Sequence, residues 1–207
     1  VQVNSRSRIH VVVIFGGESA EHDVSCVTAA HVLRALDPAH YDITTIAISR
    51  TGQWMLADSA MAALARGRDA LPDRLEATGR ASSLSEVIAA SSHDANATVV
   101  LPLLHGPMGE DGTMQGLLEL LDLPFVGSGV LASAVAMDKG MAKNVFSHAG
   151  IPQVRYRVLR EDTISPNTLS EVAGDLGFPL FVKPANMGSS VGVTKAHDDA
   201  ELQAAAA

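Results

Sequence analysis

The stretch Ile9–Phe15 constrains the fold more than any other part of the sequence. It is nearly all apolar and rich in β-branched residues, and Gly16-Gly17 follows it directly. An uninterrupted apolar run of this length is typical of a strand that is covered on both faces of a parallel sheet. The run is too short to cross a membrane as a helix. The sequence therefore predicts an α/β fold that begins with a buried strand.

Strand-like and helix-like patterns then alternate along the chain. A helical pattern covers Glu21–Leu36, and strand-like runs follow at Tyr41–Ile48 and Thr98–Leu104. Shorter or weaker elements are predicted at Trp54–Leu56 (strand), Ala60–Ala65 (helix), Leu84–Ala90 (helix), Met114–Leu121 (helix) and Leu123–Val126 (strand). This alternation indicates βαβ units in an open parallel sheet, whose ligands bind beyond the carboxyl ends of the strands.

The pattern changes after Gly127. A helix is predicted over Val130–Ala149, broken near Met137, and Gly150-Ile151-Pro152 ends it. The elements predicted beyond it are a strand at Val154–Leu159, a helix from Ser165-Pro166 to Leu176, and two strands, Leu180–Lys183 and Val191–Lys195, joined by a glycine- and serine-rich hairpin. We therefore divide the chain into an N-terminal domain at 9–127, a helical linker at 128–152 and a second domain at 153–207. The sequence stops inside a helical pattern, so we expect it to be a fragment of a longer protein.

Composition limits the partners of the chain. There are 23 acidic residues against 15 Lys and Arg, which gives a net charge of −8, and no basic patch offsets it. We therefore expect no nucleic-acid partner and no membrane partner. The single cysteine, Cys26, lies on an apolar helical stripe, which predicts a buried thiol in a reducing, cytoplasmic location.

The loop after the first strand carries charged residues at the ligand edge of the predicted sheet. It reads Gly-Gly-Glu-Ser-Ala-Glu-His-Asp-Val-Ser from Gly16 to Ser25 and lacks the Gly-x-Gly-x-x-Gly spacing of dinucleotide-binding proteins. Glu21 would lie near a helix N-terminus. The residues leave two interpretations open: Glu21 contacts a ligand, or Ser19 caps the helix and Glu21 only complements the helix dipole.

The loop after the Thr98–Leu104 strand has the same location. It runs from His105 to Thr113 and contains three glycines within seven residues, so its backbone can approach a ligand closely. His105 stands at the strand end, where its side chain can face that ligand. The alternative is a turn in which Asp111 or Thr113 caps the next helix.

A third motif supplies the parts of a phosphate site. Lys183 ends a strand, and the segment from Gly188 to Gly192 adds backbone N–H groups and hydroxyls in a turn. This is no Walker A loop, because no Gly-Lys-Ser/Thr opens a helix. The alternative is a flexible hairpin with an exposed lysine. Met137-Asp138-Lys139 means little alone, and the histidines lack zinc-ligand spacing, so we assign no metal ligand within this chain.

Four motifs in this order resemble the D-alanine–D-alanine ligase family of the ATP-grasp superfamily. They are Phe-Gly-Gly-x-Ser-x-Glu-His-x-Val-Ser, Leu-His-Gly-Pro-x-Gly-Glu-Asp-Gly-Thr-x-Gln-Gly, Gly-Ser-Gly-Val-Leu-Ala-Ser-Ala with Met-Asp-Lys, and Val-Lys-Pro with Gly-Ser-Ser-Val-Gly. The resemblance runs from about Val11 to Lys195. It implies an open parallel-sheet N-terminal domain of the pre-ATP-grasp type, followed by the start of an ATP-grasp central domain.

The resemblance also implies a role for each matching residue. Glu21 matches the carboxylate that receives the ammonium of the first D-alanine, Ser189 matches the serine that works with it, and His105 matches a histidine of the same subsite. Lys139 and Lys183 match the lysines on the ATP phosphates. The loop of Gly188, Ser189, Ser190, Val191 and Gly192 matches the loop that closes over them. The implied catalytic residues are thus Glu21 and Ser189.

The implied reaction is ATP-dependent ligation of two D-alanines for peptidoglycan precursors. Its Mg²⁺ ligands are expected beyond residue 207, so the fragment alone should not catalyse ligation, and a homodimer is implied. A D-alanine–D-lactate ligase shares every motif above and remains open. A non-catalytic binding module would not need Lys139, Lys183 and the loop, and a nicotinamide-dependent oxidoreductase lacks its glycine fingerprint.

Overall fold

The computed structural model describes residues 8–83, 86, 89 and 98–206. The helix predicted over Leu84–Ala90 lies in a stretch of which only residues 86 and 89 are described. The chain divides into two compact units, an N-terminal unit (Val1–Ala134) and a C-terminal unit (Val135–Ala207).

The N-terminal unit contains a five-stranded sheet in the order β4-β3-β2-β1-β5. Its strands are β1 (Ile9–Gly16), β2 (Tyr41–Ile48), β3 (Trp54–Leu56), β4 (Arg80–Ala81) and β5 (Thr98–Pro102). Strand β1 pairs in parallel with β2 and β5, which confirms the predicted parallel sheet at its centre. One edge of the sheet differs, because β3 pairs antiparallel with β2 and β4 pairs antiparallel with β3. Only residues 49–53 join β2 to β3, too few for the crossover that a parallel neighbour requires.

Both faces of this sheet are covered, as the composition of β1 predicts. Val11, Val13 and Phe15 pack into one core with Cys26 and Leu33 of helix α1 (His22–Ala35). The alternate residues of β1 pack into a second core on the opposite face, together with helix α3 (Thr113–Leu120). Because successive side chains of a strand point to opposite faces, one apolar run supplies both cores. Helix α2 (Asp58–Ala65) contributes buried alanines to the first core.

The strand predicted over Leu123–Val126 is wrong. Phe125 makes one isolated parallel bridge with Val100, supported by hydrogen bonds from Val100 N to Pro124 O (2.7 Å) and from Val126 N to Val100 O (2.9 Å). Pro124 has no N–H to extend a ladder, so the pairing stays local.

The helix predicted over Val130–Ala149 is divided, as expected, close to Met137. Helix α4 spans Val130–Met137, and helix α5 spans Lys139–His148. The break lies at Asp138, whose extended backbone starts a new helix and whose side chain accepts a hydrogen bond from Met141 N at 2.8 Å. Asp138 is thus the N-cap of α5.

The C-terminal unit has its own small core. Strands β6 (Leu180–Val182) and β7 (Thr194–Ala196) pair antiparallel and pack with helices α6 (Pro166–Leu176) and α7 (Asp199–Ala206) through Leu169, Ala173, Ala196 and Leu202. Ser165 caps α6 by accepting a hydrogen bond from Thr168 N. Both strands are shorter than predicted, because Lys183 follows β6 and the residues up to Val193 belong to the connection.

The strand predicted over Val154–Leu159 is also wrong. Within the described part of the C-terminal unit no strand pairs with this segment, which has no regular secondary structure. Side chains hold it instead: Gln153 Nε2 donates to Lys143 O at 2.8 Å, and Arg155 and Arg157 both pair with Asp175. Valine and tyrosine at alternate positions favour extended backbone, but a strand needs a neighbour to bond to.

Candidate active-site residues

The first glycine loop follows β1 at the carboxyl edge of the sheet. Gly16 and Gly17 both have positive φ (92° and 97°), and a Cβ on Gly16 would lie 2.2 Å from Ile48 O. Gly17 N donates to that same carbonyl at 2.8 Å. No other residue type fits at position 16, because both the left-handed backbone and the close approach to β2 exclude a side chain.

Glu21 stands at the N-cap of α1 and is only 8% exposed. A Cβ on Gly106 would lie 2.6 Å from Glu21 Oε2, so this carboxylate sits directly against the backbone of the second glycine loop. No side chain caps α1, and the Ser19 hydroxyl instead accepts a hydrogen bond from Glu21 N at 3.2 Å. The capping role considered for Ser19 is therefore wrong.

His105 lies close to the same place. It is half-buried beyond the end of β5, and its Nε2 is 3.3 Å from Thr28 Oγ1 on α1. Its carbonyl oxygen accepts a hydrogen bond from Ser19 Oγ at 2.7 Å. The structure therefore brings together the loops that carry Glu21 and His105, which are distant in the sequence.

The acidic residues of the second loop bind their own backbone. Glu110 Oε2 accepts a hydrogen bond from Gly106 N at 2.7 Å, and Asp111 accepts from Met108 N and from Thr113 N. Burial raises the pKa of Asp111, but these backbone hydrogen bonds outweigh it and the pKa is lowered overall. Asp111 thus ties the loop to the start of α3, but the N-cap of that helix is Gly112, so the cap considered at Asp111 or Thr113 is wrong.

In the C-terminal unit, Lys139 contacts the segment that precedes Gly188. Its Nζ donates to Met187 O at 2.6 Å and to Ala185 O at 3.3 Å, and its backbone N–H donates to Ala185 O at 3.0 Å. An ammonium group has three donors, so Lys139 can hold this segment and still bind one further acceptor.

Lys183 is exposed immediately after β6, and its Nζ lies 5.9 Å from the centroid of the Phe181 ring. In the loop that follows, Ser189 and Ser190 have positive φ values of 46° and 60°. Two backbone hydrogen bonds shape this loop, from Val191 N to Gly188 O (3.0 Å) and from Val193 N to Ser190 O (3.1 Å). The loop is therefore a pair of tight turns bearing hydroxyls, with a lysine at its base.

Two residues at the start of α1 carry contacts that sequence reasoning missed. His22 Nδ1 donates to Gly17 O at 2.6 Å, and Ser25 Oγ bonds to the backbone at both strand ends. The Glu-His-x-Val-Ser motif contained them, but only the folded chain shows their partners.

Among the described residues, no group of three or more His, Cys, Asp or Glu could hold a metal ion. Nor does any described helix have the length and apolar character needed to span a membrane.

Fold and site together define an α/β protein with a carboxylate and an imidazole at one sheet edge, and with lysines beside a hydroxyl-bearing loop in a second unit. Two family models match it in sequence: the D-ala D-ala ligase N-terminus over residues 10–128 and the D-ala D-ala ligase C-terminus over residues 145–207. The chain belongs to the D-ala D-ala ligase family.

Individual relatives agree with this assignment. The chain is 48% identical over 197 residues to a D-alanine–D-alanine ligase of Deinococcus radiodurans, covering 94% of this chain and 55% of the relative. It is 47% identical over 212 residues to the corresponding ligase of Nocardia farcinica, covering 97% of this chain and 57% of the relative. The chain thus spans little more than half the length of these relatives.

Solved structures show the same fold. The D-alanine–D-alanine ligase of Coxiella burnetii superposes with a TM-score of 0.77 at 34% identity, covering 96% of this chain and 59% of the other. A D-Ala:D-Ser ligase from Enterococcus faecalis superposes with a TM-score of 0.72 at 32% identity, covering 97% and 59%.

Proposed function

We propose that this chain forms the N-terminal and part of the central region of an ATP-dependent D-alanine–D-alanine ligase that makes peptidoglycan precursors. The observation that carries the proposal is the buried carboxylate of Glu21, which lies against Gly106 beside His105 at the carboxyl edge of the sheet. A carboxylate in this position can receive the ammonium of an amino acid through charge-assisted hydrogen bonds.

In the proposed reaction, Glu21 receives the ammonium of the first D-alanine and His105 lines the same subsite. Together they orient the carboxylate of that D-alanine for phosphorylation, and Ser189 works with Glu21. The amine of the second D-alanine then attacks the acylphosphate carbon, and phosphate leaves. Orientation matters because a fixed geometry removes the entropic cost of bringing the reactants together.

ATP, when bound, supplies the phosphoryl group. Lys139 and Lys183 would hold its phosphates, since ammonium groups bind and neutralise phosphate oxygens. The loop from Gly188 to Gly192 would cover them and exclude water, which would otherwise hydrolyse the acylphosphate. The donor capacity that remains on Lys139 and the hydroxyls of Ser189 and Ser190 support this part of the proposal.

The proposal further includes Mg²⁺, a homodimer formed through the N-terminal unit, and a cytoplasmic location. The described residues supply no cluster that fits Mg²⁺, so we derive no step through it. The division into a domain at 9–127, a linker at 128–152 and a domain at 153–207 also remains our proposal. Sedimentation of the full-length protein would test the dimer.

The test of the function uses the full-length protein that contains this sequence. ADP release should require D-alanine, and D-alanyl-D-alanine should accumulate in equal amount. Offering D-lactate or D-serine as the second substrate in the same assay distinguishes a D-alanine–D-alanine ligase from a D-alanine–D-lactate ligase and from a D-Ala:D-Ser ligase. ADP release that does not depend on D-alanine would contradict the proposal.

A further inference from the structure

Two serine hydroxyls join the first glycine loop to the segment after β5. Ser25 Oγ accepts a hydrogen bond from Gly16 N at 2.8 Å and donates to Leu103 O at 2.6 Å. Ser19 Oγ accepts from Glu21 N at 3.2 Å and donates to His105 O at 2.7 Å. Each hydroxyl therefore connects an N–H of one segment to a carbonyl of the other.

The direction of these hydrogen bonds is fixed. A backbone N–H can only donate and a carbonyl can only accept, while a hydroxyl has one proton to give. Each serine must therefore keep a single hydroxyl orientation to satisfy both partners. Ser25 is fully buried, so no water can replace its hydroxyl without rearrangement.

Neither serine has an ordinary role in helix formation. Ser25 lies within α1, but its hydroxyl does not bond back to the preceding helical turn, the usual partner of a serine inside a helix. The Ser19 hydroxyl accepts from the N-cap residue itself rather than from the second or third helical residue. Both side chains are thus used to connect the two segments.

The connection acts directly on the two groups expected to bind the substrate. Ser19 bonds to the backbone of Glu21 and of His105, and Ser25 bonds to the neighbouring strand ends. The Glu21 carboxylate also rests against Gly106, one residue beyond His105. A shift of either loop would therefore break hydrogen bonds at both serines.

We propose that Ser19 and Ser25 are positioning residues, which set the separation of Glu21 and His105 and thereby the affinity for the first amino-acid substrate. This inference rests on the proposed function, because it assumes that Glu21 receives the substrate ammonium. Neither serine contacts the substrate in this scheme.

The kinetic test compares Ser19→Ala, Ser19→Thr and Ser165→Ala in the full-length protein. Ser19→Ala should raise the KM of the first D-alanine about tenfold, which corresponds to ~1.4 kcal/mol. The KM for ATP should stay within about twofold and kcat within about threefold. Threonine keeps the hydroxyl, so Ser19→Thr should restore most of the affinity. Ser165→Ala removes a comparable hydroxyl at the N-cap of α6 and should leave the KM of D-alanine unchanged.

The second test measures the connection without using activity. Hydrogen exchange in Ser25→Ala should accelerate in residues 16–21 and also in residues 103–112, because both segments lose the same hydroxyl. Ser165→Ala should accelerate exchange only near the start of α6. If Ser25→Ala unfolds the chain, Ser19→Ala gives the same comparison from a less buried position.

The outcomes separate the two proposals. If the wild type ligates D-alanine but Ser19→Ala leaves its KM unchanged, or raises the KM of ATP equally, the inference is wrong and the function stands. Exchange that accelerates in only one segment also overturns the inference. If the wild type shows no D-alanine-dependent ADP release, the proposed function fails, and the exchange comparison alone decides whether the serines couple the loops.

Discussion

Replacing Glu21 with glutamine separates a substrate-binding role from a structural one. The change removes the negative charge and keeps nearly the same size and shape. In the folded chain Glu21 is 8% exposed and packs against the backbone at Gly106. Its side chain makes no capping hydrogen bond to α1, so the change removes no side-chain cap from that helix and weakens the interaction with the helix dipole.

The magnitudes of the two effects differ. A helix-dipole interaction contributes about 0.3–1 kcal/mol. One kcal/mol shifts the Tm of a protein of 150–250 residues by roughly 2–4 °C, and the Tm of a longer protein by less. A hydrogen bond to a charged group contributes about 1.5–3 kcal/mol, and 1.4 kcal/mol is a factor of ten in affinity. We therefore expect the KM of the first D-alanine to rise by roughly 10- to 150-fold, with a Tm change of about 4 °C or less.

The assay is steady-state ADP release by the full-length protein over a range of D-alanine concentrations, with Tm measured by calorimetry on the same samples. Asp23→Asn is the matched control. Asp23 lies in the first turn of the same helix, so it interacts with the same dipole, but it is exposed and pairs with Arg50. This control should change Tm by a similar small amount and leave the KM of D-alanine unaffected.

One result would refute the reasoning. If Glu21→Gln lowers Tm by many degrees while the KM of D-alanine stays at the wild-type value, the carboxylate supports the fold and binds no ammonium. Equal effects of Glu21→Gln and Asp23→Asn on KM would point instead to the general charge near the helix terminus.

Three further predictions concern the C-terminal unit and the core. Lys183→Met should raise the KM of ATP at least tenfold, the equivalent of losing ~1.5 kcal/mol of charge-assisted binding. The control Lys195→Met removes the other lysine near the Phe181 ring and should leave the KM of ATP unchanged. Equal effects of the two substitutions would contradict the assignment of Lys183. Gly188→Val should lower kcat more than it raises the KM of ATP, whereas the control Gly174→Val, on an open helix surface, should change neither. ATP should also slow hydrogen exchange in the loop from Gly188 to Gly192. Loop amides that are already protected without ATP would argue against a lid. Burial raises the pKa of the Cys26 thiol from 9.0 to about 11, so the contribution of the protonated thiol to stability is complete below pH 9 and is lost as the pH rises through 11. Urea unfolding of the wild type and of Cys26→Ala across this pH range measures that loss. A difference in unfolding free energy that stays constant with pH would contradict the prediction.

The local features of the fold were predictable from the residues that make them. The uninterrupted apolar run Ile9–Phe15 predicted a strand with two buried faces, and the break near Met137 predicted two helices. Gly16-Gly17 predicted the end of this strand, and the close approach to Ile48 O explains why glycine is required at position 16. The ordered motifs identified the family and named Glu21, His105, Lys139 and Lys183 as candidates.

What the sequence alone determined is therefore the set of local elements, the family and the chemical types of the candidate groups, because these depend on residues close together in the chain. Tertiary structure decided the rest. The antiparallel edge strands, the unpaired segment Val154–Leu159 and the isolated bridge at Phe125 all depend on which neighbour is within reach. The same holds for Ser25, whose hydroxyl bonds to a carbonyl 78 residues away in the sequence. No local pattern encodes such a partner, because a hydrogen bond between distant segments exists only after the sheet has brought their strand ends together.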